Sequence, residues 1–356
     1  MASWRVVLLI NTVALTEIRA HNSTLSKALG PGLVAIFVGG TSGIGLSTAR
    51  DFVRSTQSPH IYLIGRDSAA AERIIPEFTS LNPNSKTTFI KSDVSLLKNV
   101  DEACRAIKAK EDKVNLLFMT AGYFTMNGAR TDTGEGLDRK LALHYYSRMR
   151  FIHNLQPLLE AAGKNQDPKM NLSRVVSVLD SGMGRSGVPN FADLALKQNF
   201  GLKACAVHGC TMNSYAFEHL AAQMPYTSFI HASPGMVATN VGRDMGPIAN
   251  AVFGVVNKLT RPLIPMNKSI EESGERHLFA STAPQFAPRN NAQGVQGVAR
   301  GNDEAEGSGS YAVDYNSNIW PESQNARQLR KEGAVDKIWK HTEEVFGKIF
   351  GPDGKY

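Results

Sequence analysis

Apolar or β-branched runs of five or six residues recur along the chain, most closed by glycine or a small polar residue. Val34–Val38 opens the series and leads directly into Gly39-Gly-Thr-Ser-Gly-Ile-Gly45. His60–Ile64, Lys86–Lys91, Val114–Met119, Arg174–Leu179 and Thr227–Ala232 follow. Unbroken runs of this length fit strands covered on both faces. Most of the stretches between them are about ten residues or longer and carry the 3.6-residue spacing of helices. The stretch after Gly43 places Ile44, Thr48, Ala49, Phe52 and Val53 on a buried face. Strands alternating with helices predict an α/β fold, a doubly wound parallel sheet whose ligands sit at the carboxyl ends of the strands.

The pattern weakens towards the carboxyl end. Residues 283–309 are rich in Asn, Gly and Pro and read as a long surface loop. Ser310–Tyr315 then reads as a last edge strand, and Ala334–Ile349 as an amphipathic terminal helix. At the other end, residues 6–15 form a short apolar run after Arg5. It is too short to span a bilayer and is expected to pack on the fold or in an interface.

Chemistry is concentrated in the first glycine-rich turn. Gly39 permits a tight turn, Gly43 lets backbone approach a pyrophosphate, and Gly45 lets a helix pack close to the sheet. The helix begun at Gly43 aims free N–H groups and the positive end of its dipole at the same place. A glycine trio alone is weak evidence. A buried strand ahead of it and an amphipathic helix behind it make it strong.

Four motifs in order resemble the short-chain dehydrogenase/reductase family, over about residues 31–282 plus the last strand. Gly39, Thr41, Ser42, Gly43, Ile44 and Gly45 resemble its cofactor turn. Asp93-Val94 resembles the pair that contacts adenine. Thr120-Ala121-Gly122 resembles the end of its N-N-A-G segment with both asparagines lost. Pro234-Gly235-Met-Val237-Ala-Thr239 resembles the P-G-x-V-x-T loop that holds the nicotinamide carboxamide. The nearest pattern is that of divergent fungal members associated with secondary metabolism. The resemblance implies a Rossmann-type sheet of about seven strands in the order 3-2-1-4-5-6-7. It also implies a single domain after an extension at 1–30, a substrate lid at about 240–270, and assembly as dimers or tetramers. Val241, Met245, Ile248, Val252 and Phe253 in the lid suit a small hydrophobic substrate, although packing on the core would use the same residues.

Cofactor choice follows from charge. Such folds bind NAD through an acid at the end of the second strand, whereas NADP requires a cation for the 2′-phosphate. Here Gly65 occupies the acid position and Arg66 follows, a guanidinium suited to bidentate phosphate contact. NADP(H) is therefore expected over NAD(H), with Asp67 capping the next helix.

The proton relay is where the chain departs from the family, whose site combines Ser, Tyr and Lys with a helical Asn. No Tyr lies between Tyr146 and Tyr215. If Lys203 is the family lysine, Asn199 takes the tyrosine position; if Phe200 replaces the tyrosine, the lysine position falls on Ala204. Neither register supplies a phenol. Asp180 or Ser181 falls at the serine site, and His144 at the helical Asn site. An Asp180 carboxyl raised in pKa by burial could act as an acid, and capping of the next turn is an equal reading. Tyr123 is a second candidate, more naturally an aromatic wall. His144 and His208 can titrate near neutrality, and His231 reads as structural.

Composition narrows the field. The 356 residues, 42% hydrophobic, suit one large α/β domain. A net charge of +7 is spread along the chain without a nucleic-acid motif, so a solvated basic face is expected rather than nucleic acid. Cys104, Cys205 and Cys210 are odd in number and lack metal-ligand spacing, which points to a reducing, cytoplasmic setting without zinc. Three classes of function remain: an NADPH-dependent reductase, a non-redox dehydratase, isomerase or cyclase on the same scaffold, and an inactive NADP-binding protein.

Overall fold

A computed structural model describes residues 13–123, 125, 127–237, 239, 264 and 266–356. Seven strands form one parallel sheet: β1 (Val34–Val38), β2 (His60–Gly65), β3 (Lys86–Lys91), β4 (Leu116–Met119), β5 (Arg174–Val178), β6 (Ser228–Ala232) and β7 (Ser310–Val313). Their spatial order is β3-β2-β1-β4-β5-β6-β7, as the family resemblance implies. The order reverses between β1 and β4, the place where this architecture opens a ligand crevice.

Each inner strand feeds two cores because side chains alternate across a strand. In β1, Ala35 and Phe37 face one layer with Phe52, Val53 and Phe78. Val34, Ile36 and Val38 face the other, with Leu97, Tyr145, Met149 and Phe217. The first layer is built by α1 (Leu15–Ala28), α2 (Gly43–Ser55) and α3 (Ser68–Leu81). The second uses α4 (Leu97–Lys108) and a long helix in three parts: α5 (Arg139–Leu141), a π-helical segment (Ala142–Tyr146) and α6 (Ser147–Gly163). Short α7 (Ser181–Ser186) and long α8 (Leu202–Gln223) follow β5. Helix α9 (Ile270–Thr282) joins the first layer, whereas α10 (Gln324–Lys331) and α11 (Ala334–Phe350) join the second.

Local chemistry sets several boundaries. Asp67 accepts from Ala70 N and caps α3, as expected. Ser269 accepts from Glu272 N and opens α9, whose first turn carries Glu271 and Glu272. Strand β4 begins two residues later than the apolar run. Asn115 instead closes the gap, with its Oδ1 accepting from Val34 N and its Nδ2 donating to Leu172 O.

Residues 283–309 are less superficial than their composition implied. Phe286 and Asn302 are buried, and two 3₁₀ turns, Pro284–Phe286 and Arg289–Asn291, shape the segment. Buried Arg174 organises it by donating to Ala280 O, Ala283 O and Phe286 O. The lid expectation lies largely outside the described residues, as does most of the apolar run at 6–15. From that run, Val13 and Leu15 pack against the first core layer. Among the described residues no helix is long and apolar enough to cross a membrane, and all three cysteines are free and buried.

Candidate active site

The carboxyl ends of β1, β4 and β5 meet a cavity of about 410 Å³. Its first wall is the glycine turn. Gly39 has φ +86° and donates its N–H to Ile64 O. A Cβ there would stand 2.7 Å from Thr120 Oγ1 and 2.9 Å from Ala121 N. Gly43 also has a positive φ of +57°. A Cβ on Gly45 would lie 2.5 Å from Gly39 O, so only glycine lets α2 start this close to the strand. Ser42 precedes α2 without making a side-chain cap bond, which leaves the first helical N–H groups facing the cavity.

Arg66, Ser92, Asp93 and Val94 continue the lining outward. Arg66 is exposed directly after β2. A Cβ at Gly65 would come within 2.9 Å of Thr41 Oγ1, so a larger residue at the position that holds an acid in NAD-binding folds would have to displace the Thr41 side chain. Asp93 is held in place, since its Oδ1 accepts from both the N–H and the hydroxyl of Ser95. The far side of the cavity is formed by Ala121, Gly122, Tyr123, Leu143, His144, Val178, Leu179, Pro234, Gly235, Thr239 and Met266. Val237 is buried behind them, paired with Lys268 in a two-residue ladder. A cradle of backbone closed to larger residues, a bare helix start and one arginine at the end of β2 fit a dinucleotide.

A family profile described as short chain dehydrogenase matches residues 33–166. Oxidoreductase AN1596 of Emericella nidulans is 41% identical over 340 residues, covering 94% of this chain and 98% of that protein. The chain belongs to the short-chain dehydrogenase/reductase family. Short-chain dehydrogenase/reductase SAT2 of Stachybotrys chartarum is 26% identical, covering 94% of this chain and 97% of its own length. Among solved structures, the Pseudomonas aeruginosa RhlG/NADP active-site complex superposes with a TM-score of 0.53 at 18% identity. It covers 72% of this chain and 93% of that one. L-sorbose reductase from Gluconobacter frateurii, complexed with NADPH and L-sorbose, gives 0.51 at 16%, covering 82% and 98%. These likenesses establish the fold. This member is an oxidoreductase-type chain of a largely fungal set of relatives.

Within this family site the structure separates the candidates for the proton relay. Lys203 is exposed in the first turn of α8 and does not line the cavity. Phe200 packs against the second core layer, and Asn199 is tied to Asp193 on the surface. Neither register therefore delivers a lysine or its partner to the cavity. The cause is the path after α7: residues 187–201 fold on Asp193, which gathers the N–H groups of Lys197, Gln198 and Asn199.

Ser181 also leaves the site. It is fully buried, donates to Val313 O and accepts from Trp320 Nε1, which fastens α7 to β7. Asp180 does border the cavity, but it is exposed and caps α7 through Met183 N. The capping reading is the one realised; the desolvated surroundings required of an acid are absent at this carboxyl. His208 is remote from the lining. Its Nε2 accepts from Asn190 N, so Nδ1 carries the proton and donates to Leu194 O. His231 is buried against Ser214 Oγ, in keeping with a structural role.

His144 and Tyr123 remain at the cavity. Burial, with Arg148 and then Lys140 adding repulsion, pushes the His144 imidazole down to about 3, so it is neutral at pH 7. It sits in the π-helical segment, and a Cβ on Gly122 would meet its Nε2 at 2.9 Å. Tyr123 forms an aromatic wall with the Arg139 and Lys140 cations 5.5 and 5.7 Å from its ring centre.

Two residues of this site escaped the sequence reading. Arg148 is almost fully buried, lines the cavity and donates to Leu143 O, Ser177 Oγ, Val178 O and Ala121 O. Asn213 on α8 links Ser177 to the His144 backbone. The available signal was an Arg four residues after His144, on the same helix face and followed by Met149 and Phe151.

Proposed function

We propose that this chain is an NADPH-dependent reductase acting on a carbonyl or polarised double bond in a bulky, largely apolar small molecule. The observation carrying this reading is the continuous cavity that joins the glycine turn, Arg66 and His144. Gly39, Thr41, Ser42, Gly43, Ile44 and Gly45 would hold the pyrophosphate, and Arg66 the 2′-phosphate. Asp93 and Val94 would face adenine, and Ala121, Gly122, Pro234, Gly235, Val237 and Thr239 the nicotinamide end. When bound, the reduced cofactor supplies hydride.

The chain's own contribution is positioning and polarisation. His144, neutral at working pH, presents a ring N–H that can polarise a substrate oxygen without itself carrying charge. Tyr123 can supply a phenol proton or serve as a wall. Leu143, Val178, Leu179 and Met266 give the cavity apolar surface for substrate. In this reading hydride transfer relies mainly on proximity, with no tyrosine–lysine pair among the described cavity-lining residues. Assembly as a dimer or tetramer goes with this family reading.

The experiment is a panel of aryl and alicyclic ketones with NADPH, following absorbance at 340 nm and product together. Product with matching NADPH loss supports the reductase; product without NADPH loss points to the non-redox alternative. Binding without product across the panel points to the inactive binder.

A further inference from the structure

The Arg148 guanidinium is a buried cation without a counter-ion among the described residues. Its four acceptors, three carbonyls and the Ser177 hydroxyl, are all neutral. Burial lowers its pKa to about 10, so it remains charged at neutral pH. A guanidinium has five N–H donors. Four are engaged, and the second hydrogen on Nη2 has no acceptor among the described residues. That nitrogen also donates to Ala121 O, which itself borders the cavity.

A second buried arginine shows what a purely structural one looks like. Arg174 donates to Ala280 O and Ala283 O at the carboxyl end of α9, where the helix dipole offsets its charge, to Phe286 O beyond it and to Ser228 Oγ. It too has one Nη2 hydrogen without an acceptor among the described residues, so the two differ in what offsets the charge and in where it faces. Arg174 lies outside the cavity lining. Arg148 instead holds its charge against the wall of the cavity. A charge held away from water is costly unless something answers it.

We propose that Arg148 makes this cavity selective for substrates bearing a carboxylate beside an apolar ring system, the carboxylate completing the guanidinium's hydrogen bonds. This inference deepens the reductase reading and rests on it for the place of the cavity, but not on NADPH being the cofactor. A carboxylate at this point gains a charge-assisted bond and cancels the buried charge, whereas a neutral amide of the same shape gains only an ordinary hydrogen bond.

The test compares 1-naphthoate with 1-naphthamide by calorimetry on the full chain, with and without saturating NADPH, whose own binding is measured separately. Naphthoate is expected to bind about tenfold or more tightly than naphthamide. That ratio is expected to fall to about one in Arg148→Met and to persist in Arg148→Lys. It is also expected to survive Arg66→Ala, which excludes capture at the phosphate end. Equal binding of the two probes to the unaltered protein, or binding of neither at millimolar concentration, overturns the proposal whether or not the variants fold. A ratio that persists in folded Arg148→Met overturns it too. Failure of NADPH to bind, with the naphthoate preference intact, removes the cofactor reading and leaves this one standing.

Discussion

Asn213 and His144 stand on different helices, yet Asn213 Nδ2 donates to the His144 carbonyl oxygen at 2.7 Å. The same amide reaches Gly209 O at 2.6 Å, and its oxygen accepts from Ser177 Oγ at 2.9 Å. Arg148 Nε and Ser147 Oγ meanwhile take up Leu143 O. Carbonyls of the π-helical segment thus find side-chain partners, which supports the extra residue in that turn and turns His144 towards the cavity. Asn213→Ala would leave several buried groups unpaired and should cost about 1–3 kcal/mol in urea unfolding. It should also lower kcat more than it raises KM for NADPH, because the His144 backbone loses its tether. Unchanged stability and turnover would show that the tether is dispensable.

In the proposed reading Arg66 sets the choice between dinucleotides. Arg66→Ala should weaken NADPH binding by about 1.5–3 kcal/mol, the range of a hydrogen bond to a charged group, while leaving NADH binding within error. Calorimetry with both dinucleotides checks this, and equal affinities in the unaltered protein would refute the preference itself.

Lys203 should be silent. It is exposed and away from the cavity, so Lys203→Ala should keep kcat and KM within about twofold, as surface substitutions do. Phe200→Tyr should likewise gain no activity, since that ring packs into the second core layer. A large rise in Phe200→Tyr would mean that the loop swings inward during turnover.

Asp180 permits a clean separation of capping from chemistry. Asparagine caps as well as aspartate does, so Asp180→Asn should preserve both melting temperature and turnover. Asp180→Ala should lose about 1 kcal/mol through the missing bond to Met183 N. A hundredfold loss of turnover in the asparagine variant would instead restore the carboxyl as the acid.

Buried and half-buried histidines make the fold sensitive to acid. Burial pushes His144 and His231 down to about 3 and His277 to about 4. Each is protonated in the unfolded chain near its ordinary value of 6.5 but stays neutral when folded. Below that value the unfolded state therefore binds more protons, and stability falls as pH drops from about 6.5 towards 4. The slope is about 1.4 kcal/mol per pH unit for each such residue. Chemical unfolding at pH 7, 6 and 5 should show this decline, and His277→Phe should make it shallower by about 1.4 kcal/mol per pH unit.

The apolar runs and the glycine turn determined the fold in advance. Val34–Val38, Gly39, Gly43 and Gly45 act through backbone geometry and strand burial, which depend on residues close in sequence. The position of Arg66 beside the cavity was legible for the same reason, since it directly follows its strand. The relay positions were not. Whether Lys203 or Ser181 reaches the cavity depends on the Asp193-centred loop and on Trp320, partners that only the tertiary fold brings near. Arg148 and Asn213 were hidden for a related reason. A charged or amide side chain in a helix reads as solvated until packing shows that its partners are Ser177, Ala121 and the His144 carbonyl, contributed by two strand ends and another helix.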